Sequence, residues 1–469
     1  MREIVWNCFP RRKNTIFDAI EKQHQHKQRR EGSSTNHNHP QHQGTSKQAS
    51  KQTERDEITT DKMEQSPSKR DAAVASPTPR ELLEHIPIGH PDSMMSKESV
   101  RRAVEDFRTR PTDVIVATFP KTGTTLVTWI CHLLRTDASP IDDKTDDNDN
   151  DNQNGNQNQN NNHQQEQQQE KEQEHQHQPQ RTSFETLYEV VPWPTLSWDI
   201  GYDPNVQGSQ FTPRVFKSHL RMASIYPGCK YVVTVRDPAK TVLSFYNFFV
   251  AKKVPFLVDD EHDGKCDSNG DGTSTTAPKL KMDVSTFLLD MPFVKGSPQT
   301  PTSNLRASIW DYYAEYHALM ECPSVLILVY EDFLAGRGEG DGSNSKRGQI
   351  RRLSRFLGIT SSDGDHRQET DLVDRTAALS TKEYMAGHMR KFDEPYERAK
   401  ALNRAADISQ LAPGAKVVLG THAQRLDDRA QQFLEDRWRL QMEPLGYRDY
   451  EAFASAVRQR NQRLFGILS

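Results

Sequence analysis

Short apolar runs, each followed by a polar turn and an amphipathic stretch, recur in the middle of this chain. Val114–Val116 is β-branched and apolar, which suits a buried strand, whereas Leu126–Arg135 carries its apolar residues at helical spacing. Tyr231–Val235 and Ser324–Val329 are two further runs of the buried-strand type. This alternation of strands and helices predicts an α/β fold.

Four polar tracts interrupt the pattern. Residues 22–80 and 142–180 are rich in Gln, His, Asn and charged residues, residues 259–278 form a polar insertion, and residues 335–347 are rich in glycine. The first two tracts cannot bury enough apolar surface to offset their ordering entropy, so we expect them to be disordered. The sequence therefore predicts a largely disordered tail over residues 1–80 and one domain over residues 81–469 that carries three insertions.

The loop after the first strand consists almost wholly of groups that bind anions. Lys121 supplies a positive charge, and Gly123 lets the backbone approach a ligand closely. Thr122, Thr124 and Thr125 offer hydroxyls beside the N–H groups of a helix N-terminus. Such a loop should bind phosphate or sulfate. It differs from the P-loop of nucleotide triphosphatases, because there the lysine follows the second glycine and here it precedes the loop's single glycine.

A second strand-turn-helix segment offers a partner for this loop. Arg236 ends the strand, Asp237 can cap the next helix, and Ser244 lies about two helical turns further on. A guanidinium group binds phosphate through two parallel hydrogen bonds, and Ser244 can add a hydroxyl. Taken alone, the segment fits an Arg236–Asp237 ion pair and a solvated serine equally well.

A third short strand, near residues 214–218, ends at Lys217 and His219. An isolated histidine is usually solvent-facing or packed in a core. Open parallel sheets, however, gather their ligands at the carboxyl ends of the strands. His219 is therefore a candidate general base.

These motifs together resemble those of the cytosolic sulfotransferase family. Thr118–Leu126 matches the family's T-Y-P-K-S-G-T-T-W loop, with Phe, Thr and Leu at its tyrosine, serine and final tryptophan. Arg236 and Ser244 resemble the family's 3′-phosphate motif. Residues 217–221 resemble K-T-H-L-P, with Arg221 in place of the proline.

Three weaker similarities lie further along the chain. Tyr330–Asp332 matches the family's Y-E-D, whose tyrosine lies near the adenine of the donor. Lys416 and Gly420 match the lysine and the glycine of the family's R-K-G segment, which closes on the 3′-phosphate. Trp438–Tyr447 resembles the last helix of plant and algal-type members.

The resemblance implies the P-loop-like sulfotransferase fold, an open and mainly parallel sheet flanked by helices. It implies transfer of a sulfuryl group from 3′-phosphoadenosine 5′-phosphosulfate (PAPS) to a hydroxyl or amine of a small molecule, with no metal required. His219 would be the general base, while Lys121 and Lys217 would neutralise the bridging oxygen. The residues implied to bind the donor are Lys121, Thr122, Gly123, Thr124, Thr125, Arg236, Ser244, Tyr330 and Lys416.

The acceptor is not specified by any motif. Several large aromatic residues either line an apolar acceptor pocket or pack in the core. These are Trp193, Trp198, Phe248, Phe249 and Phe256.

Two other functions stay open. A P-loop kinase would use a similar loop, but it should also show a Walker-type lysine and an acidic magnesium ligand. A catalytically silent nucleotide-binding or interaction module would depend mainly on the polar tracts. The joint presence of Lys121, His219, Arg236 and Ser244 favours an enzyme.

The composition indicates in which compartment the protein works and which partners it does not bind. Five scattered cysteines indicate a reducing compartment, and no apolar run approaches the length of a membrane span. The formal net charge of -4, with no long basic patch, argues against nucleic acid as a partner. We expect a cytoplasmic protein; the alternative is an organellar transit peptide in the basic first fifty residues.

Overall fold

The computed structural model describes ten stretches of the chain: residues 95–141, 184–206, 208–222, 225–251, 257, 280–290, 308–334, 344–359, 366–394 and 424–466. The predicted tail, the tracts at residues 142–180 and 259–278, Phe256 and Lys416 lie outside them. Within the described stretches, no helix is long and apolar enough to cross a membrane.

Short parallel strands form the centre of the fold. They are β1 (Val114–Ala117), β2 (Val215–Ser218), β3 (Lys230–Val235) and β4 (Val325–Val329), in the spatial order β2-β1-β3-β4. Each neighbouring pair is parallel, and nearly every strand residue is buried, as expected for a parallel sheet covered by helices. The predicted open parallel sheet flanked by helices is confirmed.

One longer helix precedes the first strand, and the others lie between and after the strands. They are α1 (Lys97–Glu105), α2 (Thr124–Arg135), α3 (Pro238–Ala251), α4 (Val284–Asp290), α5 (Ile309–Ala318), α6 (Lys346–Leu357), α7 (His366–Leu379), α8 (Lys382–Gly387), α9 (Asp428–Gln441) and α10 (Tyr450–Phe465). Single helical turns occupy Leu187–Val190, Pro194–Ser197, Trp198–Ile200, Tyr330–Phe333, Met389–Phe392 and Glu443–Leu445.

The sheet order places three loops side by side. In the register of the sheet, Ala117 of β1 lies opposite Ser218 of β2, and Val116 lies opposite Val232 of β3. The loop after β1 therefore runs between His219, which follows β2, and Arg236, which follows β3. All three leave the sheet at its carboxyl edge, where open α/β sheets bind ligands.

One large apolar cluster joins the sheet to α2, α6 and α7. Trp129 of α2 is fully buried in it, and its indole N–H donates to the carbonyl of Leu379 at the end of α7 over 2.8 Å. Ile141 and Phe184, which flank the tract at residues 142–180, belong to the same cluster. Each large apolar side chain buried in this way stabilises the fold by about 1.5–3 kcal/mol.

Helix α6 begins inside the predicted glycine-rich loop. Ser345 caps the helix, because its hydroxyl accepts a hydrogen bond from the N–H of Gly348 over 3.2 Å. The prediction of a loop over residues 335–347 was therefore wrong at its last two positions. A serine N-cap before an amphipathic run is a helix-start signal, and the glycines upstream concealed it.

Helix α10 packs along the outer side of β4. Arg460 donates from Nη2 to the carbonyl of Val325 over 2.6 Å, and Asn461 donates from Nδ2 to that of Ile327 over 2.5 Å. The segment Trp438–Tyr447, which resembles the last helix of plant and algal-type members, covers the end of α9 and the turn after it, and α10 follows. Much of α10 is polar, and the role of Arg460 and Asn461 is visible only beside the strand.

Candidate active site

The loop between β1 and α2 has a tightly bent backbone. Gly123, the residue before α2, has φ of 110°, and Lys121 has φ of 68°. Left-handed backbone of this kind suits glycine but costs a lysine about 1–2 kcal/mol, so the surrounding structure must hold Lys121 in place. The bend places the first N–H groups of α2 at the carboxyl edge of the sheet.

Threonine hydroxyls brace the loop from inside. Those of Thr118 and Thr124 lie 2.5 Å apart, and that of Thr122 lies 2.7 Å from the hydroxyl of Thr234 on β3. We expected the hydroxyls of Thr122 and Thr124 to face an anion, but both side chains are buried and bonded within the protein. Buried hydroxyls need partners, and here Thr234 on β3 and Thr118, directly after β1, supply them. Thr125 is partly exposed.

Lys121 lies beside an aromatic ring. Its ammonium nitrogen is 4.2 Å from the centroid of the Phe248 ring, in a cation–π contact. Phe248 belongs to α3, the helix that begins two residues after Arg236. The predicted aromatic wall thus has one member next to the loop lysine.

His219 follows β2 and is 6% exposed. Its Nδ1 lies 2.9 Å from the carbonyl oxygen of Thr118, and its ring packs edge-to-face with that of Trp193 at a centroid distance of 5.1 Å. A carbonyl only accepts hydrogen bonds, so Nδ1 carries the proton and Nε2 carries the lone pair. The imidazole is therefore held in the tautomer that a base acting through Nε2 requires.

Lys217 is enclosed by side chains that the sequence did not connect to it. Its ammonium nitrogen lies 3.3 Å from the hydroxyl of Tyr188, 3.9 Å from Oε2 of Glu394, and 3.8 Å from the centroid of Trp193. The Tyr188 hydroxyl in turn donates to Glu394 over 3.1 Å. A buried ammonium group needs such partners. Glu394 follows β2 by more than 170 residues, and no local pattern pointed to it.

Arg236 contacts the loop directly. Its Nη1 donates to the carbonyl of Lys121 over 2.6 Å, and its guanidinium carbon lies 4.4 Å from the centroid of Tyr330. Its Nε is buried and has no hydrogen-bond partner in the described part of the chain. Asp237 instead accepts the N–H of Lys240 over 2.9 Å, so it caps α3 as predicted and does not pair with Arg236.

The Tyr330-Glu331-Asp332 motif fixes the far side of the loop. A methyl group added to Gly123 would lie 2.5 Å from Cδ2 of Tyr330, so the ring lies directly against the glycine. Glu331 accepts the N–H of Asp237 over 3.1 Å and thereby holds the start of α3. Tyr330 therefore touches both the loop and Arg236, whereas Ser244 lies partly buried on α3.

The chain is similar to a known protein family and to solved structures. A family model described as the sulfotransferase domain matches residues 111–394. Among solved structures, retinol dehydratase in a complex with retinol and PAP is 16% identical, at a TM-score of 0.37 over 73% of this chain and 86% of that one. Retinol dehydratase in complex with androsterone and inactive cofactor PAP is 15% identical, with the same TM-score and coverage. A comparison with curated proteins gave no match.

The matched region contains β1 to β4 and every predicted site residue except Lys416. It spans more than half of the 469 residues. The chain therefore belongs to the sulfotransferase family.

Proposed function

We propose that this sulfotransferase moves the sulfuryl group of PAPS to a hydroxyl or amine of a small-molecule acceptor, with His219 as the general base. The observation that supports this most is that His219, the β1–α2 loop and Arg236 lie side by side at one edge of the sheet. Thr118, at the start of the β1–α2 loop, accepts a hydrogen bond from His219, and Lys121, near its end, accepts one from Arg236. A base and a phosphate-binding cation thus flank one anion-binding loop.

His219 would remove the proton of the acceptor hydroxyl. Its Nδ1–H is engaged by Thr118, so Nε2 takes the acceptor proton as the oxygen attacks sulfur. Thr118 and Trp193 restrict rotation of the ring. Fixed orientation of the base lowers the entropy cost of reaching the transition state.

Lys121 and Lys217 would stabilise the negative charge that develops on the leaving phosphate oxygen. The sulfuryl group carries less charge than a phosphoryl group, so lysines and backbone N–H groups are sufficient in principle without a metal. Tyr188 and Trp193 hold the ammonium group of Lys217, which reduces the reorganisation needed when the charge appears.

The 3′-phosphate of the donor would bind Arg236 and Ser244. The buried Nε of Arg236 supports this, because a buried donor needs an acceptor and a phosphate oxygen would supply one. The proposed donor site also keeps Gly123, Tyr330 and Lys416. The proposed site also keeps Thr122, Thr124 and Thr125. The N–H of Thr122 is bonded to the carbonyl of Phe119 over 3.4 Å, so Thr122 would shape the loop, whereas Thr124 would donate from its backbone and Thr125 from its backbone and hydroxyl.

Aromatic rings beside the reacting groups favour an apolar or aromatic acceptor. Phe248 faces Lys121, and Trp193 lies between Lys217 and His219. An acceptor that reaches His219 would therefore pack against at least one ring. Screening labelled PAPS against phenols, sterols, flavonoids and sugars would identify the class.

We also propose that the domain extends from residue 81 to residue 469. Helix α10 supports this extension on its carboxyl-terminal side. It lies beyond the matched residues 111–394 yet supplies hydrogen bonds to β4.

Thermal unfolding with nucleotides tests the proposed donor. The product nucleotide 3′,5′-adenosine bisphosphate (PAP) should raise the melting temperature far more than 5′-AMP does, since a ligand that binds the folded state stabilises it. Equal shifts would contradict the assignment of Arg236 and Ser244. A larger shift with ATP and Mg²⁺ than with PAP would favour the kinase alternative.

A further inference from the structure

Helix α5 supplies tyrosine hydroxyls to three neighbouring chain segments of the active site. Tyr312 donates to the carbonyl of His219 over 2.5 Å, and Tyr316 donates to the carbonyl of Ala117 over 3.2 Å. Tyr313 donates to the carbonyl of Arg236 and also accepts the N–H of Arg236 over 2.9 Å. One helix thus contacts the main chain at or beside the carboxyl ends of β2, β1 and β3.

These hydroxyls act as fixed donors. The three tyrosines are at most 1% exposed. Burial raises the pKa of Tyr313 and Tyr316 well above that of a free tyrosine, so both keep their protons. A backbone carbonyl bonded to a buried hydroxyl has few other positions available, because moving it would leave both groups unsatisfied.

Glu315 is a fourth residue of the same helix that contacts these segments. It accepts the N–H of Met222 over 3.0 Å and pairs with Arg221 at 2.7 Å. Burial raises the pKa of Glu315, and the neighbouring Arg221 opposes that effect. The segment that carries His219 is therefore attached to α5 both at His219 and three residues later.

The helix has a capped start and, near its end, a side-chain contact to another segment. Ser308 and Asp311 form a capping box at its start, in which the N–H of Ser308 donates to Asp311 over 2.7 Å. Near its end, Nδ1 of His317 lies 2.8 Å from the hydroxyl of Tyr447. An anchored helix can fix the distance between the groups that it holds.

We propose that α5 is a spacer that sets the position of His219 relative to Arg236, with Tyr312 and Tyr313 as separate positioning residues. The inference rests on the proposed function, in which His219 is the base and Arg236 binds the 3′-phosphate. Tyr312 acts through the backbone of His219, and Tyr313 acts through the backbone of Arg236. Loss of one hydroxyl should therefore disturb one half of the site and spare the other.

The test compares Tyr312→Phe and Tyr313→Phe with Tyr231→Phe. Tyr231 is a matched control, because its buried hydroxyl also donates to a backbone carbonyl, that of Tyr226 over 2.7 Å, near the start of β3. Two measurements need no known acceptor. Calorimetric titration gives the Kd for PAP, and NMR of ¹⁵N-histidine-labelled protein, assigned with His219→Ala, gives the pH titration of the His219 ring.

We expect each of the two active-site variants to change one measurement and not the other. Tyr313→Phe removes both hydrogen bonds to the backbone of Arg236. It should raise the Kd for PAP about 3- to 10-fold, which corresponds to the net contribution of one of these two bonds, and leave the His219 titration unchanged. Tyr312→Phe should shift the titration of His219 and leave the Kd within about twofold. Tyr231→Phe should lower the melting temperature alone.

Two outcomes would overturn the inference. One is that Tyr312→Phe and Tyr313→Phe behave like Tyr231→Phe; the other is that both change the Kd and the His219 titration together. If wild-type protein does not bind PAP, the proposed donor is wrong, and with it the proposed function. If it binds PAP but the variants show no separation, only the spacer role of α5 is wrong.

Discussion

The guanidinium group of Arg236 is hydrogen-bonded to the backbone carbonyl of Lys121 at 2.6 Å. Lys121 is the non-glycine residue of the loop with left-handed backbone, so this bond helps to hold an unfavourable conformation. The group that we propose to bind the 3′-phosphate therefore also shapes the loop expected to bind the 5′-phosphosulfate. Donor affinity should depend on Arg236 through both contacts.

Arg236→Lys tests this double role. Lysine keeps the charge but loses the planar fork, so we expect the Kd for PAP to rise about 10- to 100-fold, as for the loss of a charge-assisted hydrogen bond. Because the loop also loses a brace, 5′-AMP should bind somewhat more weakly as well. Calorimetric titration with both nucleotides checks this, and unchanged PAP affinity would remove Arg236 from the donor site.

Gly123→Ala should damage the same loop through sterics. The added methyl group would lie 2.5 Å from Tyr330 at a φ of 110°, so the ring or the loop must move. Gly228→Ala is a matched control, because Gly228 has φ of 85° and open space around its Cα. We expect both variants to lose about 1–2 kcal/mol of stability from backbone strain, and Gly123→Ala alone to lose PAP binding. Equal PAP affinity in the two variants would contradict this role of Gly123.

His219→Ala should remove the general base. Turnover should fall about 10²- to 10⁴-fold while the Kd for PAP changes little. His388→Ala is a suitable control, since Nδ1 of His388 also lies beside a backbone carbonyl, that of Tyr384 at 2.8 Å, but His388 follows helix α8 and not a strand of the sheet. Labelled PAPS with the acceptor found by screening provides the assay. Wild-type turnover in His219→Ala would exclude this residue from the mechanism.

Deleting residues 145–178 tests whether the Asn/Gln-rich tract contributes to the chemistry. The flanking residues Ile141 and Phe184 already share one hydrophobic core, so a shorter connection mainly changes loop-closure entropy. We expect donor affinity and turnover to stay within about threefold, and stability to change by less than ~1 kcal/mol. A tenfold change in KM for the acceptor at constant donor affinity would instead make the tract a substrate gate.

The sequence predicted best those features that depend on residues close together along the chain. The strand, loop and helix around Lys121 and the cap at Asp237 were predicted because their signals lie within a few positions of each other. The direction of the Thr122 hydroxyl was not predicted, because it depends on Thr234 in another strand. Local chemistry can be inferred from local sequence, but side-chain orientation cannot.

The contacts that hold the site together come from distant parts of the chain. Glu394 reaches Lys217 from the end of the matched region, and nothing near either residue indicates the contact. The spacing of Tyr312, Tyr313 and Tyr316 is that of ordinary helix-core residues, so the sequence does not indicate a role for their hydroxyls. Their contacts follow from the way in which α5 packs on the sheet.

The hydrogen bonds from α10 to β4 protect one edge of the sheet from pairing with strands of other copies of the protein. An outermost strand normally offers unsatisfied carbonyl and N–H groups to which a foreign strand can attach, and this is a common route to aggregation. Arg460 and Asn461 occupy the outward carbonyls of Val325 and Ile327. At the opposite border, the N–H of Lys217 donates to Pro192 over 2.9 Å. Both borders of the sheet are thus partly blocked against strand addition, and loss of α10 would open one of them to cross-β association.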